Sequence, residues 1–137
     1  MIAPRPAPSA PTSILIVDDE ADNCELLEAI FAWEGYRISV AGSGKAALAS
    51  VAADPPDIIV LDVMMPRMDG YAVTTALRAA PATREIPVIL LSALTDNVAR
   101  ARGLAAGADD FMTKPVERAT LVTCVRRLLG ARRAQKP

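Results

Sequence analysis

The chain has 137 residues, the size of one domain, and its 52% apolar and 23% charged residues allow it to bury a core without metals or disulfides. Its net charge of −1 gives no basic field for nucleic acid or a membrane surface, so we expect no direct contact with either. The chain has no histidine, which excludes Ser-His-Asp and Cys-His catalysis within it and disfavours a Cys/His zinc site.

The N-terminal stretch "MIAPRPAPSAPTS" has four prolines and no apolar core segment, so it does not resemble a signal peptide. We predict that residues 1–12 form a disordered Pro/Ala-rich leader. Cys24 and Cys124 are far apart, and no apolar run reaches the roughly 18 residues of a membrane span. A cytoplasmic location is therefore the expectation.

Beyond the leader, five strand-like segments alternate with five segments of helical periodicity. The predicted strands are "SILIVDD", "YRISVA", "DIIVL", "IPVILLSA" and "DDFMT". The predicted helices are the stretch of Leu26, Leu27, Ile30 and Phe31 before Gly35, then "SGKAALASVAA", "GYAVTTALRAA", "TDNVARARGLAAG" and "ERATLVTCVRRLLG". Ser43 and Thr95 are the predicted N-caps of the second and fourth helices, and Gly107 is the predicted stop of the fourth.

Strands 1, 3 and 4 are continuous apolar runs, a pattern typical of a parallel sheet buried on both faces. The sequence therefore predicts a single doubly wound α/β domain of the (βα)5 type over residues 13–130, followed by a basic C-terminal tail at 131–137. The basic residues of this region are predicted to be a solvated helix face and tail rather than a binding patch. They are Arg126, Arg127, Arg132, Arg133 and Lys136.

Polar side chains follow four of the five predicted strands, at the edge where parallel sheets bind ligands. Strand 1 ends in Asp18 and Asp19, strand 3 in Asp62, strand 4 in Ser92, and strand 5 in Thr113, Lys114 and Pro115. Taken singly, each could be a helix cap or a solvated residue.

Together, the three carboxylates would repel one another by about 4 kcal/mol per pair at ~4 Å and an effective dielectric of about 20. A compensating positive charge is therefore expected. Lys114 can supply part of it, and Mg²⁺, which prefers carboxylates, waters and phosphate oxygens, is the natural supplement.

Four segments in this order resemble the receiver domain of two-component response regulators. They are "ILIVDDE", "DIIVLDVMMPRMDG", "PVILLSA" and "GADDFMTKP", and 30 positions separate Asp62 from Ser92 and 22 separate Ser92 from Lys114. The resemblance covers residues 13–130 and implies the flavodoxin-like strand order 2-1-3-4-5, for which a member of this family is a standard example. It also implies a phosphoprotein of bacterial phosphorelay signalling.

The resemblance also implies residue roles. Asp62 would accept a phosphoryl group from a phosphohistidine of a histidine kinase or histidine phosphotransfer protein. Mg²⁺ would be held by Asp19, Asp62 and the backbone carbonyl of Met64, with Asp18 acting through a coordinated water. Lys114 and Ser92 would contact the phosphoryl group, and no independent substrate turnover is expected.

For the output, the resemblance implies that Ser92 is drawn inward and that Phe111 turns into the space released. The face of helix 4, strand 5 and helix 5 would then change its affinity for a downstream effector protein or a missing output domain, with the chain a monomer or a phosphorylation-dependent homodimer. It also implies a cis bond between Lys114 and Pro115. The apolar Met64 and Leu94 cannot orient an attacking water, so we predict slow self-dephosphorylation.

Other functions fit less well. An aspartyl-phosphate phosphatase of the haloacid-dehalogenase type needs a second Asp two residues after the nucleophile, where this chain has Met64. A flavodoxin-like nucleotide binder needs a glycine-rich loop after strand 1, where this chain has "DDEADN". A phosphorylation-independent interaction module, or a receiver excised from a longer protein such as a cyclic-dinucleotide synthase, stays open.

Overall fold

The structure is a computed structural model that describes residues 11–94 and 96–135, with side chains to residue 132. The strands are β1 (Ser13–Val17), β2 (Arg37–Ala41), β3 (Ile58–Asp62), β4 (Val88–Ser92) and β5 (Asp110–Thr113). The helices are α1 (Ala21–Trp33), α2 (Gly44–Ala53), α3 (Gly70–Ala79), α4 (Asn97–Ala106) and α5 (Arg118–Gln135). Within the described part of the chain, no helix is long and apolar enough to cross a bilayer.

The five strands form one sheet in the order β2-β1-β3-β4-β5, and every neighbouring pair is parallel. Both the predicted fold and the strand order implied by the resemblance are confirmed. All residues of β1, β3 and β4 are buried, as their continuous apolar composition predicted.

Side chains alternate between the two faces of the sheet, so the core has two layers. One layer contains Leu15, Leu61 and Leu90 and packs under α2, α3 and α4. The other contains Ile14 and Ile89 and packs under α1 and α5. Leu121, Val125 and Leu128 form the apolar side of the last helix, and all three are buried in this second layer.

The helix ends follow the predicted capping chemistry with one exception. The Ser43 hydroxyl accepts a hydrogen bond from the Ala46 backbone N–H at 3.1 Å, and Gly107 ends α4 in the left-handed region at φ 107°. The prediction of Thr95 as the cap of α4 is wrong. The Asp96 carboxylate is the cap and accepts from the Ala99 N–H at 2.7 Å, and Thr95 itself lies outside the described residues.

The last helix continues beyond Gly130 to Gln135, further than its apolar pattern indicated. Its basic side chains bind the fold itself: Arg126 pairs with Glu34, Arg127 lies 3.1 Å from the Asp110 carboxylate, and Arg132 donates to the Asp57 carbonyl at 2.8 Å. Residues 1–10 of the predicted leader at 1–12, the Arg133 side chain and Lys136 lie outside the described residues, so the predictions about them stay predictions.

Candidate functional site

Two neighbouring strands bring the first carboxylates together. Strands β1 and β3 run in parallel with Val17 opposite Leu61, so Asp18 and Asp62, each the next residue, emerge side by side at the carboxyl edge. Asp18 is 2% exposed and Asp62 is 6% exposed. Two carboxylates are therefore held largely out of water at one position.

Asp19 completes an acidic cluster with these two residues. One carboxylate oxygen from each of Asp18, Asp19 and Asp62 lies within 4.8 Å of the others, and Asp19 is exposed to solvent. Among the described residues, this is the group of acidic, His or Cys side chains whose spacing could hold a metal ion.

Lys114 supplies the opposing charge from the far edge strand. Its ammonium nitrogen lies 2.9 Å from Asp62 Oδ1 and 3.3 Å from Asp18 Oδ2. Its backbone N–H donates to the Ser92 carbonyl at 2.8 Å, which ties the end of β5 to the end of β4. The following bond to Pro115 is cis, as the resemblance implied.

The pKa values of Asp62 and Lys114 are both shifted by burial and by their interaction with each other. Burial raises the pKa of Asp62, the hydrogen bond from Lys114 opposes that rise, and the charge of Asp18 adds to it. Burial also lowers the pKa of Lys114, but its hydrogen bond and charge interaction with Asp62 outweigh burial and raise the pKa overall. Lys114 is thus held as a cation, while Asp62 is costly to ionise without further positive charge.

The turn after β3 folds back closely over the Asp62 backbone. The Gly70 N–H donates to the Val63 carbonyl at 2.9 Å, and a Cβ at Gly70 would lie 2.6 Å from the Asp62 carbonyl oxygen. The Asp69 carboxylate caps α3 by accepting from the Ala72 N–H at 2.9 Å. The Asp-Gly pair of the sequence therefore serves both as a helix start and as a close backbone approach.

Ser92 and Phe111 lie near this edge on β4 and β5. Ser92 is fully buried, and its hydroxyl oxygen accepts a hydrogen bond from the Leu94 N–H at 3.0 Å. Phe111 is buried, and its ring lies against α4, where a Cβ at Gly103 would be 2.9 Å from it. The side chains of Met64 and Leu94, in the loops after β3 and β4, are 58% and 41% exposed.

Sequence reasoning missed one part of the site, the Glu20 backbone. Its N–H donates to Asp18 Oδ1 at 2.9 Å, which fixes one oxygen of the buried carboxylate and leaves the other facing Lys114. The signal for it was present, because an Asp commonly accepts from the N–H two residues further along.

The donor set fits Mg²⁺. Three carboxylates supply hard oxygen ligands, one of them solvent-facing so that waters can complete the shell. Lys114 supplies one positive charge beside three carboxylates. The excess negative charge that is left is what a divalent ion would offset.

The comparisons with known proteins agree on one family. The family model described as the response regulator receiver domain matches residues 14–126. Response regulator PleD of Caulobacter vibrioides is 50% identical over 115 residues, which are 84% of this chain and 25% of that protein. The chain spans a quarter to about half the length of the curated relatives it matches.

Solved structures show the same fold. The signal receiver domain of a signal transduction histidine kinase from Syntrophus aciditrophicus has a TM-score of 0.83 and 42% identity, covering 88% of this chain and 91% of that one. The receiver domain of a sensor histidine kinase from Pseudomonas aeruginosa, described with a magnesium ion coordinated in its active-site cleft, has a TM-score of 0.82 and 34% identity, covering 88% and 99%.

Proposed function

The chain belongs to the response regulator receiver domain family of two-component systems, and from that premise we propose that it is switched by phosphorylation of Asp62. The phosphoryl donor would be a phosphohistidine on a histidine kinase or histidine phosphotransfer protein, since this chain has no histidine of its own. One observation carries the proposal: the Lys114 ammonium bridges two buried carboxylates, Asp62 and Asp18, at the carboxyl edge of the sheet.

The reaction uses the Asp62 carboxylate as a nucleophile. One of its oxygens forms a bond to phosphorus while the phosphorus–nitrogen bond to the donor imidazole breaks, which leaves an acyl phosphate on Asp62 and a neutral histidine on the partner. Lys114 favours the ionised form of Asp62 before the transfer, and its ammonium can move to a phosphoryl oxygen afterwards. Transfer of this kind depends mostly on positioning and on stabilising the charge of the equatorial oxygens.

Mg²⁺ would be held by Asp19, Asp62 and the backbone carbonyl of Met64, with Asp18 reaching it through a water. When bound, the ion would supply positive charge that offsets the carboxylates and the incoming phosphoryl oxygens. The acidic cluster and the largely buried Asp62 support this assignment.

The switch would begin at Ser92. Its hydroxyl now accepts from the Leu94 N–H, and turning it toward a phosphoryl oxygen would exchange one bond for another. Phe111 would then turn toward the space that the loop leaves, and the face of α4, β5 and α5 would change its affinity for an effector.

The acyl phosphate would be long-lived. Met64 and Leu94 are apolar and exposed in the loops after β3 and β4, so neither can orient a water for attack on phosphorus. A phosphoryl half-life of minutes or more, measured by intact mass after removal of the phosphodonor, is expected, and a half-life of seconds would contradict it.

The whole-protein context is a further part of the proposal. Because the chain spans a quarter of PleD, it could act alone on an effector protein or serve as the receiver of a longer protein, for example one that makes a cyclic dinucleotide. Phosphorylation-dependent dimerisation through the face of α4, β5 and α5 would be one form of output.

The decisive experiment is intact mass spectrometry after incubation with a small-molecule phosphodonor and Mg²⁺. We expect one phosphoryl adduct that is labile to base, absent from Asp62→Asn and absent without Mg²⁺. Asp69→Asn is the matched control, because Asn caps a helix as well as Asp does and the same loop loses the same charge.

Absence of an adduct on folded wild-type protein would contradict phosphorylation of Asp62. It would instead favour an interaction module that binds partners without phosphorylation.

A further inference from the structure

Helix α4, which forms part of the proposed switching face, packs against the core through small residues. All residues of α4 are described, and the buried ones are Ala99 and Gly103. Larger apolar residues of this helix, Val98 and Leu104, are exposed. Apolar burial, the usual anchor of a helix, is therefore weak here, and other contacts must fix its position.

One of those contacts comes from Tyr71 at the start of α3. Its buried hydroxyl donates to the Ala99 carbonyl at 3.2 Å, 28 positions further along the chain. The Arg102 guanidinium carbon lies 4.5 Å from the centroid of the same ring, a cation–π contact. Burial raises the pKa of Tyr71, so the hydroxyl keeps its proton at neutral pH.

We infer that Tyr71 latches α4 in the resting position, through its hydrogen bond to Ala99 and its ring contact with Arg102, and that the phosphorylation switch must release this latch. The inference rests on the proposed function, since it names a residue that regulates the Asp62 site from another helix. Tyr71 is a positioning residue, because it touches neither the phosphoryl group nor the carboxylate cluster.

Three separate hydrogen bonds lie along the chain from Ser92 to this latch. The Leu94 N–H binds the Ser92 hydroxyl, the Asp96 carboxylate binds the Ala99 N–H at 2.7 Å, and the Ala99 carbonyl binds Tyr71. If Ser92 turns toward a phosphoryl oxygen, the Leu94 N–H loses this acceptor, and we expect the cap and first turn of α4 to move as well. That movement shifts the Ala99 carbonyl away from a hydroxyl fixed on α3.

A second hydrogen bond holds the other side of α4. Arg100 donates to the backbone carbonyl of Phe111 on β5 at 3.1 Å, and the Phe111 side chain is the proposed switch residue. Helix α4 is thus held between α3 and β5 by polar contacts. Polar contacts of this kind are directional, so a small displacement of the helix breaks them.

The alternative is that the Tyr71 hydroxyl only satisfies a buried polar group. Removing it would then change stability but would not favour the switched position. A faster phosphorylation of Asp62 separates the two, because loss of stability alone gives no reason for a gain in rate.

The test compares wild type, Tyr71→Phe, Arg102→Gln and the control Thr75→Val. Thr75 also lies on α3, but its hydroxyl donates within that helix, to the Tyr71 carbonyl at 2.9 Å. The first measurement is amide hydrogen exchange in resting protein without phosphodonor. We expect exchange in α4 to be about fivefold faster in Tyr71→Phe, the factor for one typical hydrogen bond, with α5 unchanged.

The second measurement is the rate of phosphoryl adduct formation with a small-molecule phosphodonor and Mg²⁺ below saturation. We expect Tyr71→Phe to react about two- to fivefold faster than wild type, Arg102→Gln to change in the same direction, and Thr75→Val to match wild type. If Tyr71→Phe fails to fold, Arg102→Gln carries the test.

Equal α4 exchange and equal rates in Tyr71→Phe and Thr75→Val would overturn the latch. A wild-type protein that takes up no phosphoryl group would contradict the proposed function instead, and the exchange measurement would then decide by itself whether Tyr71 holds α4.

Discussion

Helices α4 and α5 lie on opposite faces of the same sheet. Apolar burial holds α5 in place, whereas hydrogen bonds hold α4. Among the side chains of α5 that the structure describes, six apolar ones or thiols are buried in the core, namely Leu121, Val122, Cys124, Val125, Leu128 and Leu129. Helix α4 buries Ala99 and Gly103 and relies on hydrogen bonds from Tyr71, Arg78 and Arg100 to its own or adjoining backbone. A helix fixed by apolar area resists displacement, whereas one fixed by a few polar contacts can move at small cost, which suits a switching surface.

The largest expected effect is truncation of the α5 core. Leu121 is fully buried, so Leu121→Ala should lower the free energy of unfolding by about 2–5 kcal/mol. The matched change in α4, Leu104→Ala, starts from a side chain that is 47% exposed and should stay within about 0.5 kcal/mol of wild type. Urea unfolding measures both, and equal losses would remove the contrast between the helices.

Arg78 tests the polar anchor at the C-terminal end of α4. Its guanidinium donates to the carbonyls of Gly107, Arg84 and Ile86 at 2.7 to 2.9 Å and pairs with the Asp109 carboxylate at 2.8 Å. Arg78→Ala should cost about 2–3 kcal/mol, since several carbonyls lose a charged donor together.

Arg84→Ala is the control for that change. Arg84 is exposed, so this substitution should leave the free energy of unfolding in urea nearly unchanged. If Arg78→Ala were equally neutral, polar contacts would not be what fixes the end of α4.

Glycine substitutions should affect the two helices in opposite directions, because α4 is closely packed at Gly103 and α5 is open at Gly130. A Cβ at Gly103 would lie 2.9 Å from the Phe111 ring and 3.1 Å from Leu90, and overpacking of this kind costs about 1–3 kcal/mol against about 1 kcal/mol gained in helix propensity. Gly103→Ala should therefore be destabilising by roughly 1 kcal/mol and should displace α4 or the Phe111 ring.

In α5, a Cβ at Gly130 would meet nothing within 4 Å, so Gly130→Ala should instead stabilise by up to about 1 kcal/mol. Urea unfolding of the two variants should give opposite signs, and the same sign for both would contradict this difference in packing.

The smallest expected effect concerns the acidic site. Ionised Asp62 lowers the free energy of unfolding, whereas the buried side chains of α5 raise it. Burial raises the pKa of Asp62, so the folded state binds this proton more tightly than the unfolded chain does. That contribution to stability is present at low pH and is lost as pH rises from about 4 through the raised pKa. Metal-free Asp62→Asn should therefore melt at a higher temperature than wild type at pH 7.

Thermal unfolding in a chelator checks this expectation, and the difference should vanish below about pH 4, where Asp62 is protonated in both states. Asp69→Asn makes the same charge change at the cap of α3 and should not reproduce the rise. A lower melting temperature for Asp62→Asn at pH 7 would show that its ion pair with Lys114 outweighs burial.

Much of the fold follows from local sequence. Continuous apolar runs at β1, β3 and β4 required a sheet covered on both faces, and Ser43 and Gly107 marked helix ends by their own backbone chemistry. Polar residues directly after those runs had to meet at one edge, because parallel strands end on the same side. The acidic cluster of Asp18, Asp19 and Asp62 was predictable for that reason.

Tertiary structure alone decided how distant side chains share contacts. Lys114 reaches across β4 to Asp62, and Asp96 rather than Thr95 caps α4. Both depend on loop geometry that no periodicity encodes. The attachment of α4 through Tyr71 joins residues 28 positions apart, and it matters because α4 buries little apolar surface. Local patterns determine which elements form, but packing in three dimensions decides which of them is free to move.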